Sequence, residues 1–444
     1  MKHSFFLLLF TVFFSATTGT QLQAQILSER DRASLRDEIL KDRFENVLPK
    51  LMDDTGIDMW LVIAREYNED PVMRTMLPAK WLNARRRTIL VFYRDKTQNT
   101  IERLAVARYD VGENVSSAWD KEKQPKQWRR LVEIIQERSP EKIGLNISKH
   151  FGIADGLVKT DYDELLEALP SALEQKIVSA EKLAIGWIET RSQKEMQLYT
   201  QLVTITSAII DEAFSDSVIT PGVTTTDDVV WWMRQKVTDL GLETWFHPTI
   251  DVQRTAEVMK SHIYSFSKGE NEKTIFPGDL LHCDFGITYV SLNTDCQRHA
   301  YVLKKGEINV PSFLISAFAQ GTRVQDIFTG NFKTGRTGNE VLKMSLQQGV
   351  DEGLRPSIYT HPLGTYGHSS GTTLGMWDSQ EGVPVRGDYP LHENTVYAIE
   401  LNTTVTLAEW KKDIRIMLEE AGYWGTNGFR YVNGRQEAIK AIAW

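Results

Sequence analysis

Two glutamates near the end of the chain, Glu400 and Glu419, each follow a short apolar run. The runs, residues 396–399 and 416–418, predict buried β-strands. A carboxylate at the end of such a strand is costly to bury unless it is paired with a positive charge or bound to a metal ion. The chain therefore has to fold so that a cation lies beside these two side chains.

Two aspartates extend this acidic set. The segments on either side of residues 289–290 predict an antiparallel hairpin, in which residues whose numbers sum to 579 face each other. In that register Asp284 faces Asp295, with Cβ atoms about 5 Å apart. Facing carboxylates repel each other unless a cation lies between them, so the pairing itself predicts a bound cation. A structural ion-pair network is the alternative interpretation of the whole set.

The chain has only two cysteines, Cys283 and Cys296, so a disulfide framework is excluded. The predicted register places them opposite each other on the other face of the hairpin. A cross-strand disulfide and two buried thiols are both compatible with this placement.

Histidine supplies the remaining candidate ligands. Residues 361–368 have the sequence His-Pro-Leu-Gly-Thr-Tyr-Gly-His, which places two histidines seven residues apart in a glycine-broken segment. Imidazole and carboxylate ligands suit Mn²⁺, Zn²⁺, Co²⁺ or Fe²⁺. The set therefore predicts a site for two divalent metal ions, Mn²⁺ being favoured, and its ligands are Asp284, Asp295, His361, Glu400 and Glu419.

The overall composition is that of a globular protein. The chain has 444 residues, 41% of them hydrophobic, so two domains with sizeable cores are expected. The formal net charge of -8 argues against nucleic acid as a partner, because phosphate binding needs a basic surface. No basic amphipathic segment suggests binding to a membrane surface.

The first residues differ from the rest. Lys2 precedes an apolar block over residues 5–14, and small and polar residues follow. This pattern predicts a secretory signal peptide over residues 1–24, cleaved after Ala24, and an exported, periplasmic protein without a membrane anchor after cleavage. A buried N-terminal helix is the alternative interpretation.

Residues 26–185 predict a small α/β domain, and residues 186–444 a second domain. Within the first, residues 37–52 and 128–138 favour helices, and short apolar runs favour strands. These strands are predicted at residues 59–63, 88–93 and 142–146. In the second domain, helices are predicted over residues 188–214, with Glu195 facing solvent, and over residues 229–240.

The order of the candidate ligands resembles a known family. Asp, Asp eleven residues later, His-x-Leu-Gly-x-x-x-His, Glu and Glu is the order found in the pita-bread metallopeptidases. That family, M24, includes methionine aminopeptidase, aminopeptidase P, prolidase and creatinase. The resemblance runs from about residue 188 to the C-terminus. It implies an α+β fold, in which a creatinase-type N-terminal α/β domain precedes a C-terminal pita-bread domain, and it implies a homodimer.

The resemblance also implies roles for the ligands. Asp284 would bind one metal, His361 and Glu400 the other, and Asp295 and Glu419 would bridge both. A hydroxide between the metals would be the nucleophile, Glu400 the general base, and His368 would stabilise the oxyanion.

Three positions depart from the family pattern. The upstream catalytic histidine has no exact counterpart; the nearest candidate is His262, twenty-two residues before Asp284, and His247 is another. Serine follows His368 where an acid is usual. Met417 replaces an arginine. In an alternative alignment His368 is the metal ligand, and Trp377 then occupies the position of the catalytic histidine.

The predicted function is hydrolysis of N-terminal Xaa-Pro bonds, as in aminopeptidase P or prolidase. The preference for proline comes from the resemblance alone. Two other functions remain open: a lyase or another hydrolase on the same fold, and a degenerate paralogue that binds metal or peptide without turnover.

Overall fold

The computed structural model describes residues 26–255 and 273–444, which are organised around two large β-sheets. The predicted signal peptide lies outside the described residues, as does His262. Among the helices of the described ranges, none has the length and apolar character needed to cross a membrane. The predicted limits of the two domains stay a prediction.

The first sheet has six strands in the order β4-β3-β2-β1-β5-β6 and mixes parallel and antiparallel pairs. Its central strands β1 and β2 are apolar over most of their length because both faces are covered. The strands span Met59–Arg65 (β1), Arg87–Asp95 (β2), Thr100–Val106 (β3), Ser116–Ser117 (β4), Ile143–Leu145 (β5) and Ile177–Ser179 (β6). The three strands predicted in this region are confirmed.

Helices pack around the first sheet. They span Glu29–Asn46 (α1), Leu48–Thr55 (α2), Pro71–Arg74 (α3), Gln127–Arg138 (α4), Lys159–Ala168 (α5), Ser171–Glu174 (α6) and Glu181–Glu189 (α7), with a 3₁₀ turn at Gly152–Ala154. The prediction of one helix over residues 37–52 is wrong in one respect, because the structure has two helices, α1 and α2, with a break at Val47. Pro49, in the first turn of α2, accounts for the break because proline cannot continue a preceding helix.

The second sheet has nine strands, and every pair in it except β11–β17 is antiparallel. Its main path is β12-β14-β15-β11-β8-β7. The strands span Thr249–Gln253 (β7), Leu280–Phe285 (β8), Cys296–Val302 (β11), Pro356–Ile358 (β12), His361–Leu363 (β13), Thr395–Leu407 (β14), Lys412–Gly425 (β15), Gly428–Tyr431 (β16) and Lys440–Ile442 (β17), and a separate hairpin pairs Thr288–Tyr289 (β9) with Leu292–Asn293 (β10).

Four helices cover this sheet. They span Gln193–Ala213 (α8), Thr226–Asp239 (α9), Ser312–Gly330 (α10) and Gly338–Asp351 (α11). Apolar residues of α8 and α9 pack against β7, β8 and β11. Helix α10 packs against β14 and β15, and α11 packs against α10 and β12. Because side chains alternate along a strand, the residues between these packed positions point away from the helices. This α+β arrangement confirms the predicted fold class.

A buried ion pair joins the two halves of the chain. Arg43, on α1, donates to Glu195, on α8, with a nitrogen–oxygen distance of 2.6 Å, and also to the carbonyl oxygens of Trp187 and Thr190. Glu195 is 2% exposed and also accepts from Arg191 at 2.8 Å. The prediction that Glu195 faces solvent is therefore wrong, since it caps the start of α8 from inside.

The hairpin between β8 and β11 differs from its predicted register. The facing residues sum to 581, because the turn lies at Val290 and Ser291, both with left-handed φ, one residue later than predicted. Asp284 faces Gln297 instead of Asp295. The prediction that the two aspartates face each other directly is wrong. Continuing the same register makes Asp295 the diagonal neighbour of Asp284 on the same face.

The shifted register separates the cysteines in the same way. Cys283 faces Arg298, and Cys296 faces Phe285. Both are free thiols with no exposed surface. Of the two states compatible with the sequence, the structure has the buried thiols.

Candidate metal centre

A row of polar side chains crosses the second sheet on the face that points away from the helices. Directly opposite pairs link Asp284 to Gln297, Gln297 to Glu419, and Glu419 to Glu400. The row therefore spans β8, β11, β15 and β14 in order. Three carboxylates are held side by side by the hydrogen-bonded ladder itself.

Asp295 and His361 reach the same row from its two ends. Asp295 lies directly before β11 and is 4% exposed. His361 begins β13 and faces Ala398 of β14, two residues before Glu400. Its Nε2 lies 3.8 Å from a carboxylate oxygen of Asp295. The five predicted metal ligands are thus gathered at one place.

The potential ligand atoms form three overlapping groups, and within each group all atoms lie within 4.8 Å of one another. The first contains Asp284, Asp295 and Glu419; the second contains His361, Glu400 and Glu419. The third joins Asp295 and His361 to His368. Asp295, His361 and Glu419 each belong to two groups, so their side chains connect the two ends of the site.

Several of these atoms are buried without a hydrogen-bond partner among the described residues. They are Asp284 Oδ1, Asp295 Oδ1, His361 Nε2 and both carboxylate oxygens of Glu419. Buried polar atoms in folded proteins are almost always satisfied. His361 Nδ1 lies 2.9 Å from the Pro362 carbonyl oxygen, to which it donates, so the Nε2 lone pair is directed into the site.

Burial sets the charge of the site. It raises the pKa of Asp284 to about 6, and it raises the pKa of Glu400 well above its ordinary value, with the Asp284 carboxylate adding to the effect. The pKa values of Asp295 and Glu419 are raised for the same two reasons, burial and neighbouring carboxylates. Burial lowers the pKa of His361 to about 3, so its imidazole is neutral. Four crowded carboxylates and a neutral imidazole favour a bound cation.

The donor set fits divalent metal ions. Carboxylate oxygens and one neutral imidazole nitrogen are ligands for Mn²⁺, Zn²⁺, Co²⁺ and Fe²⁺. A positive charge at this place would offset the repulsion that raises the carboxyl pKa values and would partner the buried atoms left without a hydrogen bond.

The family model of metallopeptidase family M24 matches residues 197–423, half of the chain. This chain belongs to metallopeptidase family M24. M24 peptidases use divalent metals, and the matched region contains all five side chains described above. Among curated proteins, no sequence matches the chain.

Solved structures give the same fold. An X-Pro aminopeptidase from Thermotoga maritima is 16% identical, with a TM-score of 0.62 over 88% of this chain and 100% of its own. An Xaa-Pro dipeptidase from Bacillus anthracis is 15% identical, with a TM-score of 0.59 over 92% of this chain and 99% of its own. The prolidase from Pyrococcus horikoshii is also 15% identical, with a TM-score of 0.55 over 90% of this chain and 100% of its own.

The second histidine of this M24 protein borders the centre. The His368 ring meets the His361 ring edge-on, with ring centroids 4.7 Å apart. It also meets the Trp245 ring edge-on, with ring centroids 5.2 Å apart. Its neighbours partly desolvate the imidazole of His368, which lowers the pKa of this exposed residue. Trp245 is fixed by its indole N–H, which donates to the Thr294 carbonyl oxygen at 2.8 Å. A Cβ atom at Gly367 would lie 2.4 Å from the Trp245 ring, so the indole needs a glycine there.

The loop between the two histidines is held from both sides. Asn293 donates its side-chain N–H groups to the carbonyl oxygens of Gly364 and Thr365. The Tyr366 hydroxyl donates to the carbonyl oxygen of Pro71, in the first half of the chain. The positions of His361 and His368 therefore depend on contacts from both halves.

Other predicted residues lie apart from the centre or outside the described ranges. His247 is exposed and contacts Trp231 and Arg234, and it belongs to none of the three groups. Trp377 is 68% exposed. His262 lies outside the described residues, so the structure gives no information on it.

Two residues of the site were missed in the sequence. Gln297 donates to Glu400 Oε1 at 2.6 Å, and its own Oε1 lies 3.0 Å from His282 Nε2. The sequence contained a weak signal for them. Both are polar residues inside predicted strands, and each lies two residues from an aspartate of the site, Asp284 or Asp295, and so on the same face of the strand.

Proposed function

We propose that this protein is a dinuclear metallopeptidase that cleaves the N-terminal residue from short peptides with proline in the second position. The observation that carries the proposal is the convergence of five side chains whose buried ligand atoms lack partners among the described residues. The X-Pro aminopeptidase and Xaa-Pro dipeptidase folds support the substrate class.

Two metal positions account for the grouping of the ligand atoms. Asp284 would hold a metal ion at one end and His361 with Glu400 would hold one at the other, while Asp295 and Glu419 would contribute to both positions. Among the four carboxylates, only Asp295 and Glu419 belong to two groups, which supports the role proposed for this pair. Mn²⁺ is the proposed metal. When bound, such a pair supplies an activated water molecule and polarises the scissile carbonyl group.

His361 is favoured over His368 as the metal ligand. His361 shares a group with both Glu400 and Glu419, whereas His368 shares one only with Asp295 and His361. The Nε2 atom of His361 is buried and unpartnered among the described residues, while His368 is exposed. These contacts leave His368 free to approach a substrate.

The proton steps are assigned to Glu400 and His368. Glu400 Oε1 accepts a hydrogen bond from Gln297, which leaves Oε2 to accept the proton of the attacking water. His368, at the rim beside Trp245, would donate a hydrogen bond to the carbonyl oxygen as negative charge develops there.

Hydrolysis of Ala-Pro and Ala-Pro-Ala by the purified chain loaded with Mn²⁺ tests the proposal. We expect the protein to cleave the Xaa-Pro bond and a chelator to abolish this cleavage. Ala-Ala-Ala, which lacks proline, is the comparison substrate. The preferred length then separates a dipeptidase from an aminopeptidase. Metal binding without hydrolysis would overturn the proposed substrate, and an alkene product would indicate a lyase. Absence of metal binding would indicate the degenerate paralogue.

We also propose that the protein is exported and acts as a homodimer. The apolar block over residues 5–14 supports export, and the family resemblance supports the dimer. N-terminal sequencing of protein recovered from the periplasm should begin at Gln25, and light scattering should give twice the mass of the mature chain.

A further inference from the structure

A line of polar side chains connects Glu400 with the opposite edge of the sheet; its first two links are hydrogen bonds and its last is a closer-than-4 Å approach of Asp251 to His282. Glu400 Oε1 accepts from Gln297 Nε2 at 2.6 Å, and Gln297 Oε1 lies 3.0 Å from His282 Nε2. On the far side of the ring, His282 Nδ1 lies 3.5 Å from an Asp251 carboxylate oxygen. The line thus runs Asp251, His282, Gln297, Glu400.

The strand register explains why these four side chains meet. Asp251 of β7 directly faces His282 of β8. Gln297 of β11 faces Asp284, two residues beyond His282 on the same face of β8, so His282 and Gln297 are diagonal neighbours. Gln297 then reaches past Glu419, its partner on β15, to Glu400 on β14.

The middle of the line is closed to solvent. His282 is 3% exposed and Gln297 is 2% exposed, so water does not readily replace a lost contact. The neighbouring His299 ring packs 5.3 Å from His282, but its nitrogens are already bonded to Leu281 O and to the N–H of Met417. Of the described residues, only Gln297 and Asp251 therefore contact the nitrogens of His282.

The chemistry of the end groups fixes the direction of the line. A carboxylate only accepts hydrogen bonds, so Gln297 turns its NH₂ group towards Glu400 and its carbonyl oxygen towards His282. His282 must then carry a proton on Nε2. The orientation of the amide is consequently set by His282, and the Asp251 carboxylate faces the other ring nitrogen. Among the described residues, Gln297 provides the only side-chain hydrogen bond to the Glu400 carboxylate, since Thr360 bonds only to the Glu400 backbone.

We propose that Gln297 is a positioning residue for Glu400, and that His282 and Asp251 act through it. By donating to Oε1, Gln297 would fix the rotation of the Glu400 carboxylate and leave Oε2 available to a metal ion or the reacting water. Such partners typically change metal affinity or activity about 10–100-fold. The inference rests on the proposed role of Glu400 as ligand and base.

Titration of MnCl₂ into the metal-free protein by calorimetry tests this role without a substrate. Gln297→Leu keeps the approximate volume and removes the amide. It should weaken Mn²⁺ binding about 10–100-fold. In hydrolysis of Ala-Pro, kcat should fall over the same range while KM stays within about threefold, because only the reacting groups are disturbed.

Gln253→Leu is the matched control. Gln253 is also a buried glutamine of this sheet, but both of its hydrogen bonds are to the backbone of Arg415. It should lower the melting temperature and leave Mn²⁺ affinity within about twofold of wild type. Equal losses of affinity in the two variants would overturn the proposal, because a general loss of stability would then explain both.

A double-mutant cycle tests whether His282 acts through Gln297. His282→Leu should weaken Mn²⁺ binding, and His282→Gln, which keeps an N–H donor, should restore most of the affinity. Adding His282→Leu to Gln297→Leu should cause no further loss, since the contact is already gone. Additive losses would overturn the linked arrangement.

The metal titration separates this proposal from the proposed function. If wild type binds Mn²⁺ and leaves Ala-Pro intact, the substrate assignment fails, while the affinities of the Gln297 and His282 variants still decide the positioning role. Wild-type protein that binds no Mn²⁺ would overturn both.

Discussion

Glu400 and Glu419 lie directly opposite each other on neighbouring strands, with Gln297 as the next residue in the same row. Directly opposed like charges destabilise a sheet. Their pairing in the longest hairpin of the described sheet indicates that a ligand, not the fold alone, offsets the repulsion.

Removal of one central carboxylate should abolish turnover. We expect Asp295→Asn to lower kcat/KM at least about 100-fold, because the amide cannot hold two cations as a carboxylate does. The measurement is Ala-Pro hydrolysis together with metal content by mass spectrometry. Glu409→Gln, an exposed carboxylate in the turn between β14 and β15, is the control and should be unchanged. An active Asp295→Asn protein would rule out the bridging role.

Metal binding should also stabilise the fold. Free Mn²⁺ at about 100 times its dissociation constant should raise the free energy of unfolding by about 2.7 kcal/mol. A chelator should therefore lower the melting temperature of wild type and have little effect on Asp295→Asn. The metal-free variant should melt above metal-free wild type, since one buried carboxylate is gone. Equal chelator effects in both proteins would contradict this account.

Glu189 predicts a pH dependence that is independent of the metal. It is 5% exposed, lies 3.9 Å from His392 Nδ1, and burial raises its pKa to about 8, against 4.5 ordinarily. The folded state therefore binds more protons than the unfolded state between pH 4.5 and about 8, and stability falls as pH rises through this window.

Glu189→Gln should make that slope smaller, while the carboxyl groups of the metal-free centre, whose pKa values burial also raises, still contribute to it. We expect the variant to melt higher than wild type at pH 8 and close to wild type at pH 5, measured by circular dichroism in the presence of chelator. Glu393→Gln, an exposed glutamate that follows His392, serves as the control. A wild-type melting temperature that rises from pH 5 to pH 8, with the same rise in Glu189→Gln, would refute the assignment.

The contact between Gly367 and Trp245 should be sensitive to a single methyl group. A Cβ atom would lie 2.4 Å from the indole ring, so Gly367→Ala should displace Trp245 or the loop that carries His368. We expect kcat to fall about 10–100-fold with metal content unchanged. Gly330→Ala, where no atom lies within 4 Å of the added methyl, is the control. Normal kinetics of Gly367→Ala would exclude a role for this contact.

The two thiols should be inert in the folded protein. Cys283 and Cys296 have no exposed surface, and burial raises the pKa of both thiols. A thiol reagent should therefore label neither in native buffer and both in guanidinium chloride, with no change of melting temperature under reducing conditions. Release of the thiols only after reduction would show a disulfide instead.

The sequence predicted which residues form the centre better than it predicted how they meet. Asp284, Asp295, Glu400 and Glu419 could be found because acids in apolar strands are costly. The hairpin register could not, because Val290 adopts a left-handed φ that β-branched residues rarely take, and no glycine marks the turn.

The residues that support the centre were hidden for a different reason. Gln297 and His282 act across several strands, and a local pattern carries no information on which strands become neighbours. Glu195 was misplaced in the same way: its partner Arg43 is 152 residues earlier, so helical spacing alone favoured solvent. Long-range pairing decides both cases.

The Arg43 contacts also constrain how the chain is made. All three acceptors of its guanidinium, at residues 187, 190 and 195, follow it by more than 140 residues. At about 5–20 residues per second, a ribosome needs roughly 8–30 s to add them. During that time the cation has none of these partners, so α1 reaches its final position only after the second half of the protein has begun to emerge. Arg43→Met should therefore favour folding of the first half of the chain during synthesis. It should also weaken the packing of α1 against α8 in the finished protein, because the ion pair with Glu195 is lost.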